Sequence, residues 1–141
     1  MQHLEITCAD YAKQLADEIK DEKFITKALV VLNEDGVYAF YIYNLALEKK
    51  ERYKNAARSM VNKASLLLRD REMGSFISVN DIQAENVTNS LKPLMEDLDR
   101  LLLAKELLEH TLIYARYHAK ALEKADKSKK TKEAEGEMEG I

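Results

Sequence analysis

Apolar residues recur along most of the chain at helical rather than strand spacing. Tyr11, Leu15, Ala16 and Ile19 share one face of a first helix. Thr7 followed by Asp10 has the spacing of a capping box, so this helix is expected to start at Thr7. The acid-rich DEIKDEK ends it, and a short helix is expected over Phe24–Leu32. NEDG (33–36) reads as a turn, where Gly36 can take a positive φ and close the helix before it. The next stretch, VYAFYIYNLALEKK (37–50), is apolar nearly all round. Its alternation would suit a strand, but its unbroken length and Ala39, Leu45, Ala46 and Leu47 favour a helix buried on most sides.

A fourth helix is expected from about Arg52 to Arg71, with Tyr53, Ala57, Met60, Val61, Ala64, Leu67 and Leu68 inward. MGSFISVN (73–80) breaks the pattern as a loop, and DIQAENVTNS (81–90) reads as a short helix. Pro93 suits the first turn of the last helix, and the acids of PLMEDLDR suit its positive end. From there Leu94, Leu98, Leu101, Leu108, Leu112, Ala115, Ala119 and Leu122 keep a 3–4 step broken only by Lys105. That is a heptad seam of roughly 45 Å at 1.5 Å per residue. Beyond Ala125 the stripe stops, and a lysine cluster precedes EAEGEMEG. The pattern predicts an all-α protein: one compact bundle of about five to six helices over 1–125 with a long C-terminal helix, then a disordered charged tail, 126–141.

Composition narrows the setting. One proline and four glycines in 141 residues leave few breakers, against an all-β fold. The longest apolar runs, ALVVL and SLLL, fall far short of the ~20 residues that span a bilayer. MQHLEITCAD lacks the layout of a secretory signal. Cys8 is the only cysteine, so no intramolecular disulfide forms, which suits a reducing compartment. The expectation is a soluble, cytoplasmic protein with no membrane partner.

Candidate chemistry is sparse. Glu106 stands four residues before His110 and Glu109 beside it, neither the Glu-x-x-His spacing of a di-metal bundle. His110 and His118 lie eight apart, and two ligands do not make a metal site. An Arg-x(4–6)-His helical ribonuclease pattern is absent after Arg100 and too short at Arg116–His118. No phosphate loop or dinucleotide fingerprint occurs, and Cys8 has no base partner in sequence, although a distant His could approach it in space. No catalysis, metal or cofactor is expected.

Charge is more telling. The net charge of −3 does not mark a nucleic-acid binder, but its distribution is uneven. Residues 49–69 hold Lys49, Lys50, Arg52, Lys54, Arg58, Lys63 and Arg69 against one acid, Glu51. Lys54, Arg58, Asn62, Ser65 and Arg69 share one helix face, and cations mixed with neutral hydrogen-bonding groups suit a phosphate backbone. An ordinary solvated face would mix signs. Arg116, Lys120, Lys124 and Lys127 form a weaker second stripe beside Tyr117 and His118, diluted by Glu123 and Asp126. Tyr117 could stack on a base, but such a ring more often packs on the core.

With this order of elements, the chain resembles the small α-helical subunit of type III-B (Cmr) CRISPR effector complexes. ALVVLNEDGVYAFYIYNLALEK (28–49), LLLAKELLEHTLIYARYHAKALEK (101–124) and the short charged tail carry the resemblance, which spans roughly residues 7–125. Glu34 and Asp35 separate the Asn and Gly that the family commonly has adjacent, and Tyr114 or Tyr117 stands where a tryptophan is common. The resemblance implies a non-catalytic, RNA-binding structural subunit in antiviral defence. Its partners would be the other effector subunits, the guide and target RNA backbones, and further copies stacked in a row. Charge placement nominates Lys54, Arg58, Lys63, Arg69, Arg116 and Lys120 as the RNA-facing residues. The rival reading is a helical protein–protein adaptor, whose Leu94–Leu122 seam pairs with a partner helix.

Overall fold

A computed structural model describes the backbone of residues 2–139 and the side chains of residues 4–123. Five helices follow in order: α1 (Gln2–Ile19), α2 (Glu22–Leu47), α3 (Lys54–Arg69), α4 (Val87–Met95) and α5 (Leu98–Glu139). The fold is all-α, and no strand occurs among the described residues. No helix among them is long and apolar enough to cross a membrane.

The apolar stripe of α1 begins earlier than the Thr7 capping box suggested. Leu4 packs against the core and Cys8 is buried, so the helix runs back to Gln2 and Thr7 lies within it. Asp21 then caps α2. Its backbone is extended (φ −123°, ψ 100°), and its carboxylate accepts the Phe24 N–H at 3.1 Å. This starts the helix at Glu22, ahead of the expected Phe24.

Gly36 breaks α2 into two arms, 22–35 and 37–47. Its φ of 94° with ψ of −175° is essentially restricted to glycine. The expected NEDG turn is therefore real, although helix extends up to it on both sides. The arms fold back on each other: the Phe24 ring lies 6.1 Å from Tyr53, and Phe24 shares a cavity wall with Tyr43 and Leu47. The second arm buries Val37, Phe40, Tyr41, Asn44 and Leu45 but leaves Tyr38, Ile42 and Ala46 exposed. Burial on most sides, expected for 37–50, gives way to one buried face behind an uncharged outer one.

α3 turns Ala57, Met60, Val61, Ala64, Leu67 and Leu68 inward, as its periodicity predicts. The connection to α4 is pinned by the Asp70 carbonyl, which accepts the N–H groups of Met73, Gly74 and Ser75. Its Met73, Phe76, Ile77 and Ile82 are buried. Only the last residues of 81–90 are helical, because α4 starts at Val87. Pro93 lies inside α4 rather than opening the long helix. Asp97 caps α5 instead, accepting the Arg100 N–H at 3.3 Å. The favourable placement of acids survives one turn later, at Asp97 and Asp99.

α1 packs on α5 and α3, and α2 packs on α5 and α3, whereas the α1–α2 and α3–α5 pairs barely touch. The helices form a ring in which α3 and α5 occupy opposite corners, with α4 bridging α2 and α5. Leu94, Leu108, Leu112, Ala115 and Ala119 of the predicted seam are buried inside this ring, while Leu98 remains 67% exposed. Lys105, the break in the seam, donates to the Asn33 carbonyl at 3.0 Å. The tail predicted for 126–141 concerns residues whose side chains lie outside those described.

Candidate nucleic-acid interface

The chain leaves α2 through a tight corner. Lys49 and Lys50 N–H groups bond back to Ala46 and Leu47, and Tyr53 N–H to Lys50. Lys49, Lys50, Glu51, Arg52 and Lys54 all project into solvent there. The first turn of α3 holds no acid, and Tyr53 provides no side-chain cap. A helix start carries partial positive charge from its unpaired N–H groups. Cations at Lys54 and Arg58 add to that charge instead of cancelling it. Among the described residues, neither of these two nor Lys49, Lys50 or Arg52 has a carboxylate within 4.0 Å.

The predicted face of α3 is open only along its first half. Lys54, Arg58 and Asn62 line a groove with a cavity of about 280 Å³. The same lining holds Glu48, Asp81 and Glu85 beside Lys49, Lys54 and Arg58, so the groove itself is balanced in charge. Burial pushes the Glu48 carboxyl up; Arg58 pulls it back and Asp81 adds to the rise. The cationic excess therefore sits at the corner, at Lys50 and Arg52, rather than inside the groove. Along its second half the same face is covered. Ser65 is buried and shares a 3.1 Å hydrogen bond with the Tyr41 hydroxyl. Arg69 donates to Asn80 Oδ1 at 2.8 Å and ties down the loop before α4.

Lys63 points toward α1. Its Nζ lies 3.3 Å from the Glu18 carboxylate and donates to Gln14 Oε1 at 3.0 Å. Arg116 and Lys120 belong to α5, at the opposite corner of the ring from α3. Arg116 is half-buried with its guanidinium 5.2 Å from the centre of the Tyr117 ring, and Lys120 is exposed. The structure thus joins Lys54 and Arg58 in one place and sets Lys63, Arg69, Arg116 and Lys120 apart from it. Lys124 and Lys127 lie beyond the described side chains.

A second cavity, of about 250 Å³, opens on the other side of the corner, between the two arms of α2 and the start of α3. It brings Lys23 and Lys27 beside Arg52 and lines them with Phe24, Tyr43 and Tyr53. Helical spacing relates Lys23 to Lys27, but only the reversal at Gly36 brings them to Arg52. Burial pushes the Tyr43 hydroxyl up, with Tyr53 adding to the effect, so it stays protonated.

The remaining candidate chemistry is dispersed. Cys8 and His110 line one cavity between α1 and α5, yet the thiol contacts the Leu107 carbonyl at 3.7 Å. Burial pushes the thiol up, which disfavours the nucleophilic thiolate. Among the described residues no three His, Cys, Asp or Glu side chains are grouped to hold a metal. Compared with known proteins, the chain matches no family model, no curated protein and no solved structure.

Proposed function

We propose that this protein is a non-catalytic, RNA-binding structural subunit of an RNA-guided ribonucleoprotein of the type III-B CRISPR kind. It would act in antiviral defence by packing along guide and target RNA. The observation that carries this reading is the α2–α3 corner. Lys49, Lys50, Arg52 and Lys54 are exposed at a helix start with no acid in its first turn, and none has a carboxylate within 4.0 Å among the described residues. Lys50 and Arg52 lie outside the charge-balanced groove, so cations crowded at the corner cost stability through mutual repulsion, and a phosphate chain would relieve it. The family resemblance noted in the sequence supports the same reading. Arg58 and Asn62 extend the surface; Lys63, Arg69, Arg116 and Lys120 are secondary, since they are engaged elsewhere or lie across the ring.

The experiment is affinity purification from native cells with and without nuclease. Co-purifying RNA and protein subunits that are lost on nuclease treatment support the proposal. A partner set that is indifferent to nuclease, with no RNA, supports the adaptor reading. That alternative draws on the exposed, uncharged outer face of the second α2 arm, at Tyr38, Ile42 and Ala46, because the Leu94–Leu122 seam is largely consumed within the chain's own core.

A further inference from the structure

We propose that the cavity between the α2 arms and α3 seats one nucleotide of single-stranded RNA, its base against the tyrosines and its phosphate among Lys23, Lys27 and Arg52. This rests on the RNA-binding reading above and names a site for it that lies outside the α3 stripe.

The lining holds the two chemistries that sequence-independent single-strand binding combines: cations for the backbone and aromatic rings for bases. Phe24, Tyr43 and Tyr53 form the aromatic wall. Neither tyrosine hydroxyl has a hydrogen-bond partner among the described residues, so both are available to a base edge or a ribose hydroxyl. Lys23, Lys27 and Arg52 have no ion pair among the described residues. The one carboxylate in the lining, Asp21, is committed to capping α2 at the Phe24 N–H. A volume of about 250 Å³ has room for a base but not for a whole buried nucleotide, so the ribose and phosphate would lie toward the exposed Lys23, Lys27 and Arg52.

Arg52 suggests how the site fills. Its guanidinium lies 5.4 Å from the centre of the Tyr53 ring, over the π-face where a base would stack. An arriving base takes that face, and the displaced guanidinium is then free to pair with the phosphate. As the structure stands, the ring holds the cation in place of a carboxylate.

The test uses the full chain and two probes. Adenosine 5′-monophosphate is titrated while the tyrosine ring protons are followed by NMR, with inorganic phosphate and adenosine as separate arms. An adenylate octamer is then titrated by fluorescence anisotropy against wild type, Lys23→Gln/Lys27→Gln, Tyr53→Leu and Lys54→Ala/Arg58→Ala. The expected result is that the monophosphate shifts the Tyr43 and Tyr53 signals at least about tenfold more tightly than phosphate or adenosine. The first two variants are expected to weaken octamer binding by about tenfold. Equal shifts from phosphate alone overturn the proposal, because they leave an anion site without a base. Loss of octamer binding in Lys54→Ala/Arg58→Ala but in neither cavity variant overturns the proposal while the RNA reading stands. Octamer affinity unchanged in every variant overturns both. Lys23 and Lys27 are exposed, so their double variant reports on the site even if Tyr53→Leu fails to fold.

Discussion

Replacing Gly36 with alanine tests whether the reversal of α2 depends on one backbone conformation. A Cβ added at Gly36 would meet nothing within 4 Å, so steric repacking contributes nothing. The cost is that of holding an L-residue at φ 94° and ψ −175°, about 1–3 kcal/mol for a sparsely populated region. Loss of glycine's freedom in the unfolded chain returns about 0.4–1 kcal/mol. The net expectation is a loss of about 1–2 kcal/mol, or roughly 3–7 °C in Tm for a chain of this size. Urea denaturation with linear extrapolation measures it. D-alanine at the same position, introduced by semisynthesis, is the sharper control. The mirror image of this conformation is ordinary extended backbone, so D-alanine pays no strain and should stabilise the protein by about 0.4–1 kcal/mol. An L-alanine variant as stable as wild type, or a D-alanine variant no better than the L-form, would refute the reasoning.

Three further outcomes follow from the interior and the rim. Asn44 is fully buried, donates to the Phe40 carbonyl at 2.8 Å and leaves Oδ1 without a partner. Asn44→Leu should raise urea stability by about 1 kcal/mol, and a loss of that size would mean that the oxygen is satisfied by a bound water. Burial raises the Cys8 thiol, so its neutral form contributes stability that is complete below the ordinary thiol range and is lost as pH rises through the folded-state value. Reaction of Cys8 with Ellman's reagent at pH 8 should be slower in the native protein than in urea by about tenfold or more, and equal rates would contradict its burial. Lys63→Gln breaks a partly exposed pair with Glu18 and should change urea stability by less than about 1 kcal/mol. It should shift octamer affinity in the anisotropy assay by less than about twofold; a loss matching that of Lys54→Ala would show that Glu18 does not neutralise it.

Much of this architecture is legible in the sequence, since each buried stripe repeats at helical spacing. Leu15 and Ile19, Met60 and Leu68, and Leu108 and Ala115 lie inward as their spacing predicts. The turn at Gly36 is legible for the same local reason: an acidic, polar break ends in a residue free to take positive φ. Helix boundaries are less so. Thr7 and Pro93 both have side chains suited to a helix start, yet neither begins one, because Leu4 extends α1 and Asp97 caps α5 more directly. Single-chain spacing places Lys54, Arg58, Ser65 and Arg69 on one face of α3, but it cannot show what covers that face. The second α2 arm reaches Ser65 through Tyr41, and the loop before α4 reaches Arg69 through Asn80. The cavity of Lys23, Lys27 and Arg52 is the converse case. Its residues stand on both sides of a chain reversal, and the pattern along either segment contains no sign that they meet.

The central claim is that RNA phosphate is gripped at the corner where α2 hands over to α3. The most direct measurement is the affinity of single-stranded RNA as a function of salt, for wild type and for Lys50→Ala/Arg52→Ala, which removes the two cations outside the charge-balanced groove. Each lost phosphate contact removes about 0.7 from the slope of log affinity against log salt on single strands. The account predicts weaker binding and a slope shallower by about 1.4 for the double variant. Identical affinity and slope for the two proteins would contradict it.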